Sequence, residues 1–174
     1  TVRIAKDGRR VDVQVSMSAI RDVEGHITGI ASIFRDISER KRAEDAVVRE
    51  RALLRAVVDT MPERIYVKDR EGRFLLQNAT NLKVRGIRNH DDIVGKTVFD
   101  LFPRDIAAAL EAEDRAVLES GVPLINREGK TFFGSPGEQD GAVRWHVTSK
   151  MPLRDAAGNI IGIVGVNRDI TERK

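Results

Sequence analysis

Apolar and polar residues alternate through VDVQVSMSA (11–19), the period-two pattern of a half-buried strand. The cluster RDVEGH follows as a turn, with Gly25 free to take positive φ, and ITGIASIF (27–34) resumes as a second strand. Asp36 and Ser38 then offer side-chain oxygens to the free N–H groups of a new helix. That helix is expected from about Glu39 to Met61, where Pro62 ends it. Ala43, Val47, Leu54, Val57 and Met61 recur along it at helical spacing, interrupted by Glu50. At 1.5 Å per residue it spans about 35 Å. Two readings stay open: a linker helix packed on the following domain, or a parallel two-helix coiled coil.

Beyond Pro62 the period changes several times. RIYVKD (64–69) and RFLLQN (73–78) read as strands joined by a turn, and ATNLKVRG (79–86) as a short helix ended by Gly86. DDIVGKTVFDLF (91–102) holds short helical turns. Pro103 is expected at the first position of a long helix, RDIAAALEAEDRAVLES, closed by Gly121. LINREGKTFF (124–133), VRWHVTSKMPL (143–153) and NIIGIVGVNRD (159–169) complete the set, with the loop GSPGEQDGA between the first two. The order β-β-α-α-α-β-β-β predicts an α+β fold, an antiparallel sheet with helices over one face.

The chain also repeats itself. IRDVEGHITGIASIFRDISERK (20–41) aligns without a gap on LRDAAGNIIGIVGVNRDITERK (153–174), an offset of 133 residues. Each copy is a hairpin that runs into a helix start.

Composition narrows the classes. Hydrophobic residues make up 41% of the 174 residues and charged residues 33%, which fits a folded chain. The net charge is +3, from 30 basic and 27 acidic residues that are interspersed, so no basic face for nucleic acid is expected. No apolar run reaches the ~18 residues of a membrane helix, and no signal peptide is evident, so a cytoplasmic location without direct membrane contact is expected. The absence of cysteine excludes disulfides, thiolate metal sites, a thioester-linked chromophore, a cysteinyl-flavin adduct and covalent c-type haem. Gly95-Lys96-Thr97 and Gly129-Lys130-Thr131 are not P-loops, because His90 and Leu124 stand where the earlier glycine belongs. Three histidines without metal-ligand spacing give no zinc site; His26 and His90 are expected to be solvated. Trp145-His146 and Glu138/Asp140 assemble no catalytic set, so no enzyme is expected.

MPERIYVKDREGRFLLQN, VGKTVFDLFP, SGVPLINREG and RWHVTSKMPLRDAAGNIIGIVGVNRDITERK together resemble a PAS domain, of a subgroup found in bacterial sensor proteins. D-I-[ST]-E-R-K is similar to the PAS exit motif that leads into a connecting helix. The resemblance implies a five-stranded antiparallel PAS sheet at 62–174, a linker or signalling helix at 38–61 and the C-terminal strands of a truncated first PAS domain at 1–37. It implies a piece of a longer two-component or related signalling protein, homodimeric through the 38–61 helix. A downstream effector such as a histidine kinase or diguanylate cyclase would lie outside this chain. Haem-binding members use a histidine on the long helix, and 103–119 has none; flavin held without a covalent bond stays open. No cofactor is fixed by the sequence beyond an unknown small molecule.

The repeat offers a comparison between the two copies. Val11, Val13, Val15 and Met17 map onto Arg144, His146, Thr148 and Lys150, and Phe34 maps onto Asn167. If that face looks into the domain, the second copy has a polar cavity holding a cation, completed by Tyr66, Phe99, Phe102 and Leu110. A buried lysine needs a partner, and a bound anion such as a carboxylate would supply one. Two alternatives stay open: Trp145 and its neighbours form the core and Lys150 is solvated, or Lys150 pairs with an internal acid. Asp36, Arg168, Asp169 and Thr171 are the candidate relay residues. Asp169 could cap the exit helix or pair with Arg168. The functional expectation is a sensor of a small ligand, an anion being one candidate; the alternative is a ligand-free dimerisation and relay module.

Overall fold

The computed structural model describes residues 1–131 and 144–173. The loop at 134–142, with Glu138 and Asp140, lies outside them. The chain divides into two units, Thr1–Leu54 and Arg55–Lys174.

The first unit holds a three-stranded antiparallel sheet of β1 (Val2–Ile4), β2 (Arg10–Arg21) and β3 (Ile27–Asp36), in that order. Gly25 takes φ 88° in the β2–β3 turn. Val15 pairs with Phe34 and Ala19 with Ile30, so Val13, Val15, Met17, Ile30 and Phe34 share a face. Val13 is buried, whereas Met17, Ile30 and Phe34 are exposed. Helix α1 follows from Ser38 to Thr60, and none of its residues is buried.

The second unit carries β4 (Arg64–Asp69), β5 (Phe74–Gln77), α2 (Ala79–Val84), α3 (Arg104–Ser120), β6 (Leu124–Thr131), β7 (Arg144–Arg154) and β8 (Ile160–Asp169). Single 3-10 turns sit at His90–Asp92 and Val98–Asp100. The sheet is antiparallel throughout, in the order β5-β4-β8-β7-β6. Pro103 caps α3 from just outside it, one position earlier than expected, and Gly121 closes it in the left-handed conformation. Tyr66, Phe74, Leu82, Ile93, Val98, Ala107, Val117 and Ile163 form the core between the helices and one face of the sheet.

Asn78, fully buried, fastens the end of α1 to this core. Its Oδ1 accepts from the Ile65 and Asn81 amides at 2.9 and 3.1 Å. Its Nδ2 donates to the carbonyls of Val58, Met61 and Glu63 at 3.1, 3.4 and 2.9 Å. One amide therefore caps α2, starts β4 and satisfies carbonyls at the end of α1.

Candidate ligand-binding site and exit latch

A cavity of about 410 Å³ lies between the sheet and the helices of the second unit. That is within the ~300–1,000 Å³ typical of small-molecule sites. Tyr66, Phe102, Leu110, His146, Thr148, Lys150 and Asn167 all line it. Alternation along β7 turns His146, Thr148 and Lys150 inward, while Met151 faces outward and is 40% exposed. Phe99 does not belong. In the Val98–Asp100 turn Val98 takes the inward position, leaving Phe99 46% exposed beside a separate depression. A wider groove of about 480 Å³ lies elsewhere, lined by Val147, Val166, Arg168 and neighbours.

Lys150 is 1% exposed, and its partner is internal. Its Nζ lies 2.6 Å from Asp114 Oδ1 and 3.0 Å from Glu113 Oε2, and donates to the Leu110 carbonyl at 3.3 Å. The other Asp114 oxygen is 2.5 Å from Lys68 Nζ. The expectation that Lys150 awaits a ligand's anion is therefore corrected: α3 supplies the carboxylates. Burial still holds the Lys68 ammonium below its ordinary value, against the pull of Asp114. Lys68 also faces the Tyr66 and Phe74 rings, at 5.2 and 4.7 Å from their centroids.

The rest of the lining is polar on one side and apolar on the other. Thr148 Oγ1 donates to Asn167 Oδ1 at 2.6 Å. Burial, then the charge of Arg64, pushes the His146 imidazolium below the usual histidine range. Tyr66 is pushed up by burial and by the charges of Asp114 and Glu113, so it stays a phenol. Its ring occupies the space a Cβ on Gly165 would take. Sequence reasoning missed Arg64, Lys68, Arg85 and Asp114. A signal for Asp114 existed: it shares the spacing of Ala107, Leu110 and Val117, which places an acid on the inward stripe of α3.

At the strand ends the repeat becomes a matched piece of geometry. Asp169 Oδ1 accepts from the Thr171 amide at 2.8 Å, and Asp36 Oδ1 accepts from the Ser38 amide at 2.8 Å. The hydroxyl of Thr171 accepts from the Trp145 amide at 2.9 Å, and that of Ser38 from the Asp12 amide at 3.1 Å. Trp145 and Asp12 are themselves 133 positions apart. Each exit motif thus latches to the strand paired with the one it leaves. Burial opposes ionisation of Asp169, but the bonds from Thr171 and the charges of Arg64 and Arg144 outweigh it and hold its carboxyl low. Asp169 does not pair with Arg168. Adjacent strand residues point to opposite faces, so Arg168 reaches Glu63, Nη2 to Oε1 at 2.8 Å, while Asp169 lies 3.9 Å from Arg144.

Among the described residues, the donors that gather as a metal site would are Asp22, Glu24 and His26, all exposed in the β2–β3 turn. His90 is only partly solvated, with Nε2 buried and unpartnered. No described helix is long and apolar enough to cross a membrane.

Fold and comparisons agree on the family. The PAS fold model matches residues 58–174, and a PAS domain model matches residues 1–39. The chain belongs to the PAS domain family. It is 32% identical over 148 residues to the virulence sensor protein BvgS of Bordetella bronchiseptica, covering 84% of this chain and 12% of that protein. It is 30% identical over 117 residues to a diguanylate cyclase of Vibrio cholerae, covering 67% of this chain and 35% of that one. The chain thus spans a small part of these relatives, which are signalling proteins. The solved PAS domain of Bordetella pertussis BvgS superposes with a TM-score of 0.55 at 28% identity, over 75% of this chain and 92% of that one. A structure of VqmA bound to DPO superposes with a TM-score of 0.57 at 25% identity, over 68% of this chain and 56% of that one.

Proposed function

We propose that this chain is the sensory part of a cytoplasmic multidomain signalling protein. A small molecule enters the cavity beneath β7 and β8, and its presence is relayed through the exit latch to a following effector. Any catalysis belongs to that effector, of the histidine kinase or diguanylate cyclase kind. The observation that carries the reading is the continuity of β7. The same strand presents His146, Thr148 and Lys150 to the cavity and, one residue earlier, the Trp145 amide to Thr171. A ligand that shifts β7 must either carry the latch with it or loosen it. That VqmA was solved with DPO bound favours a ligand for this chain as well.

Residues 1–37 serve in this reading as the closing strands of a preceding PAS domain, whose core would cover the open face of Met17, Ile30 and Phe34. A second reading is favoured by α1, where Val47, Leu54 and Val57 remain exposed at helical spacing. It makes the chain a ligand-free homodimer that passes helix motion between its neighbours.

A thermal-shift screen of small molecules on the wild type and on Leu110→Trp separates the two. A sensor gives compounds that stabilise the wild type by several degrees and do nothing for the variant, whose cavity is filled. A relay gives no such compounds, and Leu54→Glu turns a dimer into a monomer.

A further inference from the structure

Charge around the cavity does not balance, and the imbalance is local. On the α3 side Asp114 takes both lysines and Glu113 takes Lys150 and Arg127, so each of these cations already touches a carboxylate. On the other side stand Arg64 of β4 and Arg85, which caps the end of α2. Among the described residues neither has a carboxylate at ion-pair distance. Asp100 lines the same cavity, but its Oδ2 accepts from the Thr97 amide and hydroxyl at 2.7 and 2.8 Å. Asp169 acts on Arg64 only from beyond contact distance. Burial, and then the charge of Arg64, holds the Arg85 guanidinium down at about 10. Two partly buried cations that face one cavity call for an anion between them.

We infer that Arg64 and Arg85 form a carboxylate-reading subsite, and that the cavity takes a small monocarboxylate with an apolar, ring-sized body. The inference rests on the sensor reading above and names its ligand class. Arg85 has its Cζ 4.4 Å over the Phe102 ring centroid and its Nε donates to Asn81 Oδ1 at 3.4 Å, contacts that hold the guanidinium in place and leave its terminal nitrogens for a carboxylate. Leu101, Phe102, Leu110 and Ile87 then wall the body of the ligand. Tyr66 has no hydrogen-bond partner for its hydroxyl among the described residues, and Asn167 commits only its oxygen, to Thr148. Both can donate to a ligand oxygen. Lys68 and Lys150 are already engaged, both by Asp114 and Lys150 by Glu113 as well, which leaves Arg64 and Arg85 as the lining cations open to a ligand carboxylate.

The test is isothermal titration of the full chain with benzoate and phenylacetate against benzamide and phenylacetamide, which keep the shape and lose the charge. The acids bind at least tenfold more tightly than the amides. Arg64→Gln and Arg85→Gln each lose most of that ratio while circular dichroism stays native, and Lys150→Met keeps it. Equal binding of acids and amides overturns the subsite, as does a ratio that survives both arginine variants or falls with Lys150→Met. If neither acids nor amides bind but the thermal-shift screen yields other ligands, the subsite is wrong and the sensor reading stands. If nothing binds the folded chain, both fall.

Discussion

Asp114 and Lys150 meet at 2.6 Å inside the domain, and the second oxygen of Asp114 takes Lys68. Lys68 stands on β4 and Lys150 on β7, the two strands that flank β8. One carboxylate on α3 therefore ties together strands that do not touch each other. Asp114→Asn strands the buried Lys68 ammonium and leaves Lys150 to Glu113 alone, and is expected to cost about 3–5 kcal/mol, the scale for breaking a buried pair from one side. Lys150→Met removes a charge yet leaves Asp114 paired with Lys68, and is expected to cost less than about 2 kcal/mol, since an apolar replacement of similar volume is often tolerated. Urea denaturation of both variants checks the order.

Gln77 is fully buried on β5 with neither Nε2 nor Oε1 hydrogen-bonded. Its desolvation is uncompensated, so Gln77→Met is expected to stabilise the domain by roughly 1–2 kcal/mol. A rise of several degrees in Tm is the expected readout.

Gly165 faces Lys150 across the β7–β8 ladder and leaves room for the Tyr66 ring. A methyl group there collides with ring atoms, so Gly165→Ala pushes Tyr66 toward the cavity. The expected cost is about 1–3 kcal/mol, together with weaker binding of any cavity ligand. Chemical denaturation and titration of the same variant read the two effects.

Thr171→Ala leaves the Trp145 amide without its acceptor, at about 1 kcal/mol. Hydrogen exchange at Trp145 should speed up clearly, and Thr171→Ser should restore the wild-type rate. Ser38→Ala should do the same to the Asp12 amide in the first unit.

His146 gives the domain a pH dependence. Its folded pKa is depressed by burial and by Arg64, whereas the unfolded chain takes up that proton near pH ~6.5. The His146 contribution to stability is therefore complete above that value and is lost as pH falls through it toward the folded pKa. Tm should decline from pH 7.5 to 5.5, and His146→Gln should make the decline shallower.

Most of the fold was legible because each element carried its own local cause: alternation in β2 and β7, Gly25 and Gly121 at positive φ, Pro62 after α1. The offset of 133 residues also brought out the polar inner face of β7, because it compared two uses of one strand. What stayed hidden was long-range. Asp114 lies between Glu113 and Arg115, so its neighbours read as a solvated charge run, and only its helical phase marks it as internal. Arg64 and Arg85 are 21 positions apart, and it is the folding of α2 over the sheet that brings both to one cavity. Phe99 was misplaced because a 3-10 turn reverses which of two neighbouring apolar residues points inward.

Native mass spectrometry of the as-purified chain, before and after incubation with millimolar benzoate, tests whether this cavity holds a small molecule. The expected result is an excess mass per protomer that vanishes on denaturation, either carried from the cell or acquired from benzoate. Leu110→Trp should remove that mass. A bare chain under both conditions, or an excess that survives Leu110→Trp, would contradict it.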